Sequence, residues 1–160
     1  MRIAITAIGK LKDPEERSIV ERYAKRMSGA GKPLGLGPLE IRELPESRAP
    51  DVATRKRDEA ARLLRDVGSG DFVVALEPTG KSLTSEAFAA FMRATRDEGT
   101  NTCVFLIGGP DGHGGAALDA AALKLSLGSL TLPHGLARVV LVEQLYRATT
   151  ILSGHPYHRA

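Results

Sequence analysis

Cys103-Val-Phe-Leu-Ile107 runs directly into Gly108-Gly109-Pro110-Asp111-Gly112-His113-Gly114-Gly115, so an unbroken apolar segment gives way to a loop dominated by glycine. An apolar run without polar alternation marks a strand covered on both faces, and such strands belong to parallel sheets flanked by helices. The glycines after it fall where main-chain amides can approach a ligand closely. They do not make a dinucleotide fingerprint: the G-x-G-x-x-G spacing is absent at Gly108, and Pro110 removes a donor where a pyrophosphate cradle needs one. A tight structural turn and a small-molecule pocket are both open on residue types alone.

The flanking sequence repeats the same alternation. Arg2 to Ile8 reads as a strand, and Asp13 to Met27 as a helix entered through a capping Asp13 and a proline at the first helical position. Gly29 to Pro38 reads as a flexible connector and Leu39 to Leu44 as a second strand. A helix follows over Asp51 to Val67, a third strand over Phe72 to Leu76, and a helix over Thr84 to Arg96 capped by Thr84. After the glycine-rich loop come a helix through about Leu123, a short strand near Leu130 and a closing helix from about Leu136 to Leu152. Strand and helix in alternation predict an α/β fold with a mostly parallel sheet flanked by helices. Ligands of such sheets lie beyond the carboxyl ends of the strands, here the loops after Leu76, Ile107 and Leu130.

At 160 residues and 42% hydrophobic content the chain suits one domain that buries its core without staples. Cys103 is the single cysteine, so no disulfide forms within the chain, and a reducing, cytoplasmic location is expected. The opening Met1 to Ile8 is too short for a secretory signal, and no membrane span is expected. A net charge of +3 permits a nucleic-acid partner without requiring one.

Several motifs resolve into chemistry or into its absence. Gly80-Lys81-Ser82 fails as a P-loop because position 75 is alanine, which leaves a turn after a strand. Four histidines, at 113, 134, 155 and 158, invite a metal, but Pro156 breaks the regular presentation of the last two, and none is expected. The closing helix is apolar on more than one face and therefore predicts burial on several sides, with a subunit interface among them. On it, Glu143 and Arg147 stand four apart in the favourable order. The tail, His155-Pro-Tyr157-His158-Arg159-Ala160, carries imidazole, phenol and guanidinium groups where chains usually fray, and it reads as one wall of a site.

Leu106-Ile-Gly-Gly-Pro-Asp-Gly112, Leu125-Ser-Leu-Gly-Ser-Leu-Thr-Leu-Pro-His134, Arg138, Glu143-Gln-Leu-Tyr-Arg-Ala148 and His155-Pro-Tyr-His-Arg159, in this order, resemble the bacterial large-subunit rRNA pseudouridine methyltransferases. These belong to the SPOUT class of knotted methyltransferases. The resemblance covers the whole chain in element order and is most specific in its second half. It implies a C-terminal trefoil knot, which departs from the general rule against threaded connections. It also implies a homodimer, S-adenosylmethionine as cofactor, and methylation of N3 of a pseudouridine in 23S rRNA on the assembled ribosome. By the same resemblance Leu76, Gly108, Leu127, Gly128, Ser129, Leu130, Thr131 and Leu132 hold the cofactor. His155, Tyr157, His158 and Arg159 are expected to line the acceptor pocket, a tail histidine being the candidate base and Arg159 or Arg147 its charge partner; Glu143 and Arg147 are further catalytic candidates, the pair being either a helix-stabilising one or a polar patch kept for function. Ala160 stands where many relatives carry an acid, and His113-Gly-Gly fits no family pattern. The same fold acting on another rRNA or tRNA nucleotide, or a ribosome-associated binding protein without catalysis, are the alternatives.

Overall fold

Every residue of β4 (Thr102–Ile107) is buried, and the strand lies third in a five-stranded sheet, between β1 (Arg2–Ile8) and β3 (Phe72–Ser82). In this computed structural model, which describes residues 1–159, β2 (Leu39–Leu44) and β5 (Leu123–Ser126) complete the order β2-β1-β4-β3-β5. All neighbouring strands run parallel, as the apolar run of β4 requires. Ala160 lies outside the described residues.

Alternate side chains of β4 supply two cores. Cys103, Phe105 and Ile107 face α1 (Pro14–Gly31), α3 (Ser85–Asp97) and α5 (His134–Ser153), packing with Met92, Leu141 and Leu145. Val104 and Leu106 face α2 (Val52–Leu64) and α4 (Gly115–Ala120), where they meet Ala60, Leu63 and Ala117. Burial pushes the Cys103 thiol up to about 12, so its sulfur is packing material and not a nucleophile. Helix starts follow from side-chain caps: Asp13 accepts from the amides of Glu15 and Glu16, Asp51 from Thr54 and Thr84 from Ala87. Each such cap stabilises its helix by about 1 kcal/mol.

The structure corrects five sequence expectations. Helix α1 continues to Gly31 and passes through a short 3-10 turn, Lys32–Leu34, so the supposed connector is mostly helical. Burial of Met27 and Leu36 outweighs the weak helix propensity of the glycines there. Helix α2 stops at Leu64, three residues before Val67. Helix α4 ends at Ala120 and β5 is formed by Leu123–Ser126, not near Leu130. Leu123 and Leu125 pair with β3, whereas Leu130 is 82% exposed in a segment without regular structure.

Finally, Gly80 is not in a turn. Strand β3 carries on to Ser82, with its register against β5 interrupted between Leu76 and Lys81. A Cβ on Gly80 would sit 2.5 Å from the Lys124 carbonyl oxygen, so glycine is required there by the close approach of β5 and not by a turn angle. Gly80→Ala is expected to destabilise the chain by about 1–3 kcal/mol through overpacking, read as a lowered urea midpoint at unchanged slope.

Candidate active site

Beyond the carboxyl ends of β4 and β5, and beside the middle of β3, lies a cavity of about 720 Å³, within the range that takes a cofactor-sized molecule. One wall is β3 at Leu76 and Glu77, where its register against β5 is interrupted, the second is the loop from Gly108 to His113, and the third is the segment 127–132 with the start of α5. Of the eight residues expected to hold a cofactor, Leu76, Gly108, Leu127, Gly128, Leu130, Thr131 and Leu132 line this cavity, and Ser129 does not. The sequence reading missed Lys56, Glu77, His113 and His134, which also line it.

The walls are held by polar anchors. Arg55 on α2 donates to Asp111 at 2.7 Å, fixing the glycine-rich loop, and the guanidinium holds the Asp111 carboxyl below its usual range. The segment 127–132 is pinned at its far end by α5, where His134 Nε2 donates to the Ile8 carbonyl at 2.9 Å. Burial, aided by the Arg138 charge, lowers the His134 pKa, in keeping with a neutral ring that donates one hydrogen bond. One turn later the buried Arg138 donates to the Gly9 carbonyl and to Glu43, both at 2.6 Å. At the near end, the Ser126 hydroxyl accepts from the Gly128 amide and donates to the Gly128 carbonyl, holding a residue with φ of 135° that only glycine adopts readily.

His113 follows β4 and is 5% exposed, with both ring nitrogens buried and without a hydrogen-bond partner. Burial lowers its pKa, opposed by the Glu77 charge and by the nearby main chain at Leu76 and Leu106, so the ring is neutral near pH 7. A buried imidazole without a well-formed hydrogen bond costs about 1–3 kcal/mol of desolvation.

The tail docks on α5 in a second polar cluster. Glu143 Oε1 accepts from Arg147 at 2.6 Å and from the Tyr157 hydroxyl at 2.9 Å, while Gln144 donates to its other oxygen at 2.7 Å. Since Tyr157 gives its proton to Glu143, the Tyr23 hydroxyl at 3.2 Å is the donor to Tyr157. Burial, with Tyr23 and Glu143 beside it, raises the Tyr157 pKa far enough that it stays a phenol. Its ring packs against Tyr146 at 4.8 Å and under the Arg147 guanidinium at 4.9 Å.

The two tail histidines differ. Arg147 donates to His158 Nδ1 at 3.3 Å, which places the proton on Nε2, facing Glu86 at 2.8 Å. His155 accepts the Tyr157 amide on Nδ1 at 3.1 Å, and its other nitrogen has no partner among the described residues. Arg159 is exposed and forms no hydrogen bond among them. The structure therefore brings together Glu143, Arg147, Tyr157 and His158, with His155 at the margin. None of the six lines the cavity.

The parallel sheet, the cavity beside its strand ends and the tail docked on α5 accord with a methyltransferase of the SPOUT class, and a family model shows the class. The model, described as "Predicted SPOUT methyltransferase", matches residues 1–158, and the chain belongs to this family. Full-length relatives carry a more particular name. A protein of Xanthobacter autotrophicus is 49% identical over 160 residues, covering 100% of both chains. Relatives from Brucella anthropi and Bradyrhizobium diazoefficiens are 48% and 47% identical, also over 100% of both chains. All three are named "Ribosomal RNA large subunit methyltransferase H".

No helix is long and apolar enough to cross a membrane. Among the described residues no three His, Cys, Asp or Glu side chains form a metal-ligating group.

Proposed function

We propose that this chain is a homodimeric, cytoplasmic enzyme that transfers the methyl group of S-adenosylmethionine to N3 of a pseudouridine in 23S rRNA of the assembled ribosome. The observation that carries this reading is the 720 Å³ cavity walled by the glycine-rich loop and the segment 127–132, in a chain alike over its full length to proteins named for rRNA methylation. The cavity fits the cofactor: leucine and isoleucine side chains suit a flat adenine, and Gly108 and Gly128 leave main chain bare for close approach. The loop after β4 and the segment after β5 meet in this one cavity, which is the placement a C-terminal trefoil knot would give them.

When bound, the cofactor supplies an activated methyl group as a sulfonium. The residues of the chain then have to position the acceptor and deal with its proton. N3 of a pseudouridine carries a weakly acidic proton, so a base or a cation at the acceptor is needed. His155 is the tail imidazole with a nitrogen unpartnered among the described residues, and Arg147, held by Glu143 and stacked on Tyr157, is a fixed cation of the same tail cluster. His155→Ala is expected to lower the single-turnover rate on ribosomes by about two to four orders of magnitude, and a near-normal rate would remove it as the base.

The spacing along α5 supports the homodimer. Glu143 and Arg147 lie six and ten residues along α5 from the cavity residue Ala137, or about 9 and 15 Å at the helical rise. This separation suits a dimer in which the tail cluster of one copy serves the cavity of another. Leu130 and Leu136, 82% and 43% exposed beside the cavity, are apolar surface that a second copy would cover.

The test is transfer of labelled methyl from S-adenosylmethionine to ribosomes lacking the modification, with naked 23S rRNA and tRNA alongside and the labelled nucleotide mapped. Label at N3 of one pseudouridine on ribosomes, and little on naked rRNA, is the expected result. Label on tRNA would replace the substrate, and cofactor binding without transfer to any of them would favour a binding protein.

A further inference from the structure

Besides Asp111, which also feels the Lys56 charge, three polar groups interrupt the apolar lining of the cavity on the side away from α5. Lys56 reaches it from α2, Glu77 stands on β3 where its register against β5 breaks, and His113 follows β4. They share one neighbourhood, since both the Glu77 and Lys56 charges act on the His113 ring. Arg55, next to Lys56 in sequence, is spent on Asp111 at 2.7 Å. Lys56 has no hydrogen-bond or ion-pair partner among the described residues, and the Glu77 side chain meets only the Thr79 hydroxyl at 3.3 Å. A cation and a carboxylate that face one cavity, half-buried and not paired with each other, suit a ligand bearing both charges at one end. His113, unpartnered on both nitrogens, fills the wall beside them with a neutral ring.

We infer that Lys56 and Glu77, with His113 beside them, form a zwitterion subsite that receives the amino-acid end of the methyl donor, Lys56 meeting the carboxylate and Glu77 the ammonium. This rests on the cofactor reading above. The adenine then occupies the leucine-rich part of the cavity by 127–132, and the two charged groups discriminate donors and products that carry the amino-acid end from nucleosides that do not.

Calorimetric titration of the intact protein with S-adenosylhomocysteine and with 5′-methylthioadenosine, which lacks the amino-acid end, tests this without any turnover. Lys56→Met and Glu77→Gln are each expected to weaken S-adenosylhomocysteine about tenfold while moving methylthioadenosine less than about twofold. The exchange Lys56→Glu with Glu77→Lys is expected to recover part of the loss. Equal weakening of both ligands, or none of either, would overturn the subsite. Wild-type protein that binds methylthioadenosine as tightly as S-adenosylhomocysteine would overturn it while leaving the cofactor reading intact, and wild-type protein that binds neither would end both.

Discussion

A chain ending at Gly154 is expected to bind S-adenosylhomocysteine with near wild-type affinity and to lose methyl transfer to ribosomes by at least about two to four orders of magnitude. Binding should survive because no residue after Gly154 lines the cavity. Transfer should fail because the removed segment carries His155, Tyr157 and His158, the last two fixed on Glu143 and Arg147. Loss of the Tyr157 ring also uncovers Tyr146, so thermal unfolding has to show that the truncated chain is still folded before its rate is read.

The same variant tests which copy supplies the tail. Its partner is Gly128→Val, in which a side chain is forced on a backbone at φ 135° in the cavity wall; this variant should fail to bind the cofactor while keeping its tail. If the tail of one copy serves the cavity of the other, a reassorted equal mixture restores about a quarter of the wild-type rate, because half of the twofold dimers are mixed and each has one intact site. No recovery would place tail and cavity of a site in one chain. Full activity of the truncated chain would make the tail idle.

The sheet was legible where the physics is local. Strand β4 announces burial on both faces by its composition alone, and Asp13, Asp51 and Thr84 mark helix starts because a cap needs only its own next three residues. The last strand was misplaced for an equally physical cause. Leu123-Lys-Leu-Ser126 is too short for its alternation to stand apart from a continuing helix, while Leu130-Thr-Leu132 has the same alternation and lies in the cavity loop. Only pairing with β3, some fifty residues earlier, separates the two. The cavity wall was read through family likeness, since bare main chain leaves little mark in side-chain pattern. Lys56 and Glu59 were lost among the charges of α2. Glu59 is buried because its carboxylate accepts the Ser47 amide at 2.9 Å, a contact between elements that periodicity does not encode.

Arg138→Ala is expected to cost about 3–5 kcal/mol, a large part of the stability of an ordinary domain. Arg138 is 2% exposed and fixes the start of α5 to the end of β1 through the Gly9 carbonyl and to β2 through Glu43. Its removal leaves Glu43 partly buried with Arg17 as its remaining cation, at 3.3 Å, and leaves the Gly9 carbonyl without this donor. The effect should reach the site, because the same turn of α5 holds His134 and ends the cavity segment, so cofactor affinity is expected to fall along with stability.

The sign of the pH dependence follows from Glu43. Burial alone would push its carboxyl up, but the Leu11 amide and the Arg17 and Arg138 guanidiniums outweigh burial and hold it below the usual value. A depressed carboxylate contributes stability that is fully present above its unfolded pKa, about 4.3, and is lost as pH falls through the lower folded value. Glu43→Gln should therefore be less stable than wild type by a constant amount between about pH 6 and 8, with the difference shrinking below about pH 4. Arg138→Ala within about 1 kcal/mol of wild type in urea, or a Glu43→Gln difference that does not shrink in acid, would show that this contact does not latch α5 to the sheet.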